Sequence, residues 1–159
     1  MMLALLPLLL AAQPEPAREA SSLEHIGEVI ANARVCDAFG YEIDRQGLAD
    51  WAAASRDAVA ARDASVTSDL AQLLIERHVV NRFASSFWMY WDASTRPGRT
   101  SDAMIDTEYR FINLQRKACD RLDRSDAVGS FITAPEERLP ASEVIARVRD
   151  EYRRIRLER

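Results

Sequence analysis

Between Val66 and Trp91 the chain repeats a step of four and then three: Val66, Leu70, Leu73, Arg77, Val80, Ala84, Phe87 and Trp91, apolar at every position except Arg77. A strand would scatter these positions over both of its faces, whereas a helix of 3.6 residues per turn gathers them into one stripe. A heptad-like stripe of this length needs helical neighbours along it. The spacing therefore predicts a long helix that ends near Asp92, before the breaking pair Pro97-Gly98.

The rest of the chain supports the same class. Ser21-Ser22-Leu23-Glu24 is a capping-box pattern that opens a helix with Leu23, Ile26, Val29, Ile30, Ala33 and Cys36 on its inner side, stopped by Gly40. Asp44 caps a second helix striped by Leu48, Trp51, Ala52, Ser55 and Val59. A further helix from Thr100 or Ser101 presents Met104, Ile105, Phe111, Ile112, Ala118, Cys119 and Leu122. Residues 123–140 read as a loop that tucks Val128, Phe131 and Ile132 against the core. A last helix from Ala141 faces inward with Val144, Ile145, Val148, Tyr152 and Ile155. No strand alternation of useful length and no internal repeat compete with this reading. The expected fold is all-α, a bundle of four to five helices forming one domain over residues 21–159.

Cys36 and Cys119 are the only cysteines. An even count in an oxidising compartment favours one disulfide over two buried thiols. Both cysteines fall near the C-terminal ends of their predicted helices. In an up-down-up-down bundle, helices one and four run antiparallel, which would hold the sulfurs roughly 20 Å apart at 1.5 Å of rise per residue. A disulfide needs Cα atoms within about 7 Å. Pairing therefore predicts that these two helices run roughly parallel or cross near those ends.

The compartment is read from the leader. Residues 1–13, MMLALLPLLLAAQ, carry no charge and are followed at once by the polar PEPAREASS. Their apolar run is far shorter than the roughly twenty residues that span a bilayer, and its shape is that of a signal peptide. A buried N-terminal helix is the structural alternative, and Pro7, Pro14 and Pro16 disfavour it. The expectation is an exported chain, periplasmic or secreted, with no transmembrane segment once the leader is removed.

Net charge of −4 argues against nucleic acid or an anionic lipid surface as partner, because neither field concentrates an acidic protein. His25 and His78 lack metal-ligand spacing with each other or with the cysteines, and read as solvated histidines, so neither metal nor cofactor is expected. No nucleophile elbow or glycine-rich phosphate loop is present, and no catalytic residue is singled out.

Two groups of residues depart from a plain bundle. Arg77, Glu108 and Gln115 sit where the pattern asks for apolar side chains, and a buried charge needs a partner. They read either as an Arg77–Glu108 ion pair at the bundle's edge or as a polar pocket between the third and fourth helices that takes a small carboxylated ligand. The run Phe87-Trp88-Met89-Tyr90-Trp91 covers all sides of a helix. Trp88, Met89 and Tyr90, off the seam, are either covered by other elements or form an interface. The resulting expectation is an exported helical protein that acts by protein contact, with a ligand binder or small all-α enzyme as the alternative.

Overall fold

Ser22, one residue after the expected cap, opens the first helix of the structure, a computed structural model that describes the backbone of residues 20–95, 98 and 101–157 and the side chains of 20–85, 98 and 102–155. The Ser22 hydroxyl accepts the N–H of His25 at 3.1 Å, and α1 runs Leu23–Ala38. Gly40, at φ +86°, supplies the left-handed stop. The leader at residues 1–13 lies outside the described residues.

Helix α1 has no outer face of the expected kind. Ile26, Val29, Ala33 and Cys36 are buried as predicted, and so are Gly27, Ala31, Val35 and Ala38 from the other sides. It packs against all four other helices. Small side chains let those neighbours close in, while Glu28, Arg34 and Asp37 keep part of its surface in solvent.

Helix α2, Arg45–Ala60, follows the expected pattern closely. Asp44 accepts the N–H of Gly47 at 2.9 Å, and Leu48, Trp51 and Ser55 are its buried stripe. Ser55 is fully buried because its hydroxyl accepts the N–H of Ala20 at 3.0 Å, which fixes the chain entering α1. In the break that follows, Asp63 accepts both the N–H and the hydroxyl of Ser65, and Thr67 accepts the N–H of Leu70 at 3.2 Å to start α3.

Helix α3, Ser68–Thr95, corrects the seam in phase though not in period. Its buried row is Ala71, Ile75, Val79 and Phe83, whereas Leu70, Leu73 and Arg77 are exposed and Val80 and Ala84 half-buried. The side chains of Phe87 and Trp91 lie outside the described residues. A supercoiled seam would have kept the steps of three and four; here a row of i+4 steps packs on α1, the ridge-into-groove contact of globular helices. The helix also continues to Thr95, past the expected end at Asp92.

Helix α4, Ser101–Asp123, is tied to α1 by the Cys36–Cys119 disulfide, with Cα atoms 5.5 Å apart. The two helices therefore meet near their C-terminal ends, as the pairing requires. Phe39, just beyond α1, packs on Phe111 with ring centroids 6.5 Å apart, and Tyr41 donates a hydrogen bond to Asp120.

The loop after α4 turns through a short 3-10 segment, Gly129–Phe131. It does tuck in an anchor: Val128 and Ile132 are buried and Phe131 is half-buried. Where no strand was expected, Glu42–Ile43 (β1) pairs antiparallel with Ile132–Thr133 (β2), in the register Glu42 to Thr133 and Ile43 to Ile132. Phe131 accepts the N–H of Asp44 at 2.8 Å beside this pair. Two residues are too few for alternation to show in a sequence. Helix α5, Ala141–Leu157, then buries Val144, Ile145, Val148 and Ile155 as predicted. Every helix contributes to one apolar cluster centred on α1.

Candidate functional site

The structure separates the polar group. Arg77 is exposed on α3, so it interrupts no buried seam. It lines a groove with Glu76 and Asn81 of α3, Ile30 and Arg34 of α1 and Ile155 of α5, and none of the described side chains of α4 borders that groove. Glu108 and Gln115 are half-buried on α4, on either side of the buried Phe111. Among the described residues, no hydrogen bond or ion pair joins Arg77 to Glu108 or Gln115. Spacing along each helix was read correctly as a face, but the phase of α3 turns that face outward.

Helix α4 holds the feature that the composition alone did not reveal. Two neighbouring rows run along its inner side: Met104, Glu108, Phe111 and Gln115, and beside it Ile105, Tyr109, Ile112 and Cys119. These are steps of three, four and, from Ile112 to Cys119, seven on one side of the helix. Towards the C-terminal end the face is covered, with Phe111, Ile112 and Cys119 buried. Towards the N-terminal end the same face is open: Met104 is 42% exposed, Ile105 63% and Tyr109 67%. Met104 and Ile105 were expected in the core. Their pattern was apolar throughout, and only the extent of the helices packed against it decides where covering stops.

Helices α3 and α4 pack on each other with only residues 96–100 between them, the arrangement of an αα-hairpin. The open end of α4 is therefore at the turn end of the hairpin, where α3 carries Trp88, Met89 and Tyr90. The side chains of those three lie outside the described residues.

A second polar cluster joins the loop to the disulfide-bearing end. Asp120 accepts from Tyr41 and pairs with Arg138 at 3.2 Å, and Arg116 donates to the carbonyl of Leu139 at 2.7 Å. Burial, then the hydrogen bond to Asp120, pushes the Tyr41 phenol up to about 12. A phenol held protonated in this way and paired with a carboxylate ties the α1–β1 connection to α4; it offers no base near neutral pH. Among the described residues, no three His, Cys, Asp or Glu side chains converge as a metal site would need.

Compared with protein-family models, with curated proteins and with solved structures, the chain gives no match.

Proposed function

We propose that this is an exported protein, periplasmic or secreted, that works by contact with another protein through the turn end of the α3–α4 hairpin. The observation that carries the reading is the open half of α4, where Met104, Ile105 and Tyr109 continue the rows of the buried Phe111 and Ile112 into solvent. Met and aromatic side chains are the types enriched at interface anchors. Trp88, Met89 and Tyr90, placed by sequence on the same end of the hairpin, belong to the proposed surface. Export is supported by the leader at residues 1–13 and by a disulfide that persists in oxidising compartments. No helix among the described residues is long and apolar enough to cross a membrane.

The test is a photo-reactive phenylalanine analogue at position 105 in cells that make the full chain, with the same probe at Arg153 on α5 as control. The reading expects a discrete cross-linked adduct from position 105, lost in Tyr109→Asp and absent from the control. Identical adducts from both positions, or none from 105, would refute contact through this surface. Intact-mass analysis of the same material decides export: a chain shortened within its first twenty or so residues supports it, and an unprocessed cytoplasmic chain sinks it.

A further inference from the structure

The stripe that is clearest in the sequence is turned outward by the fold. With Ala71, Ile75, Val79 and Phe83 of α3 packed inward, Leu70 and Leu73 are 41% and 62% exposed. Arg77 is exposed in the same row, and Val80 and Ala84 continue it half-buried. A row that repeats in steps of three and four is shaped to meet another helix.

The charges on this row select which helix. Asp69 and Arg77 stand four residues before and four residues after Leu73, about 6 Å from it along the axis in either direction. Both are exposed. Among the described residues, neither side chain makes a hydrogen bond or an ion pair, and their charged neighbours are engaged: the Gln72 amide donates to Glu76 at 2.9 Å, and Arg82 pairs with Glu28 at 3.3 Å. The patch is therefore complementary to itself. An identical helix turned end over end about Leu73 sets its own Leu73 on this one, its Asp69 beside this Arg77 and its Arg77 beside this Asp69. A parallel copy in register would oppose like charges instead. An isologous contact, the same patch on both partners, is the kind that two-fold dimers use.

We propose that α3 pairs antiparallel with α3 of a second copy of this chain, crossing at Leu73, to give a two-fold dimer. Leu70 and Leu73 of each copy form its apolar centre, and two Asp69–Arg77 pairs fix its direction. The face spans about three turns of one helix, so the contact is small and its Kd falls at roughly 10–100 µM. At the low-micromolar concentrations of an unfolding titration the chain is then monomeric. The inference is independent of the contact reading, since the row lies in the first half of α3, away from the hairpin's turn end.

Sedimentation of the protein from cells that make the full chain, between about 1 and 500 µM, tests the dimer. Dimer is expected at the upper end of that range, and Leu73→Glu should weaken association at least about tenfold. Asp69→Arg and Arg77→Asp should each weaken it several-fold alone, and the two together, which exchange the charges, should restore it. Tyr109→Asp on α4 should leave it unchanged. Leu73→Cys should link two chains under mild oxidation, because a two-fold through that residue holds the Cα atoms within about 7 Å, whereas Arg153→Cys should not. Thermal unfolding of each variant confirms that it is folded. A chain monomeric throughout, a dimer indifferent to Leu73→Glu, or a charge exchange that restores nothing overturns the proposal. So does a Leu73→Cys variant that couples to other proteins and not to itself.

Discussion

Gly27 of α1 lies so close to His78 of α3 that a Cβ on the glycine would stand 2.5 Å from the histidine Cβ and 3.1 Å from the carbonyl oxygen of Ile75. Neither obstacle is the far end of a flexible side chain. The two helices can keep this separation only while residue 27 has no side chain. Gly27→Ala, which in an exposed helix would stabilise, should here force α1 and α3 apart and cost about 1–3 kcal/mol, the range for overpacking. Urea unfolding measures it, and a variant as stable as the parent would refute the close crossing.

The phase of α3 is open to an equally direct check. Ile75 is 3% exposed and Leu73 62%. Ile75→Ala should lose about 2–5 kcal/mol to the cavity it leaves, whereas Leu73→Ala should stay within about 0.5 kcal/mol of the parent. The reverse order of the two would restore the heptad seam.

These two helices also show where sequence reading stops. The period of α3 is visible because any packed helix repeats at about 3.6 residues. Its phase is not, since Leu70, Leu73 and Val80 offer as good an apolar row as Ala71, Ile75, Val79 and Phe83. In the structure it is the second row that packs on α1, where Gly27 lies against the Ile75–Val79 stretch of α3. The cap at Asp44, the start of α1 to within one residue, the stop at Gly40 and the inner faces of α2 and α5 were legible because each depends on residues within a turn or two. The β1–β2 pair was hidden by its shortness. For the polar trio, Glu108 and Gln115 kept their expected shared face, while Arg77 left it with the phase of α3.

Alkaline pH should weaken the clamp at Tyr41. Its phenol titrates near 12 in the folded protein against about 10 for a free tyrosine, so the folded state holds the proton more tightly. The stability this contributes is complete below pH 10 and is lost as pH rises from about 10 through about 12. Urea midpoints measured at intervals across that window should fall in the parent and fall less in Tyr41→Phe. Parallel slopes would mean that Tyr41 plays no part.

Removal of the disulfide should be costly because the loop it closes is long, with Cys36 and Cys119 separated by 83 residues. Replacing both by serine is expected to lower the unfolding free energy by about 2–5 kcal/mol. A loss below 1 kcal/mol in matched urea titrations would show that the helices hold this end together unaided.

Cross-linking at residues 36 and 119 makes the polypeptide a ring with two tails of different kinds. The ring contains α2, α3 and most of α4, and it stays closed even when every helix has melted. Among the described residues, the C-terminal tail, with β2 and α5, is held by its apolar side chains, a two-residue ladder and polar contacts such as Arg34–Glu151 and Arg138–Asp120. Unfolding therefore leaves α2, α3 and most of α4 within one closed loop, to which the tail carrying α5 stays attached at Cys119.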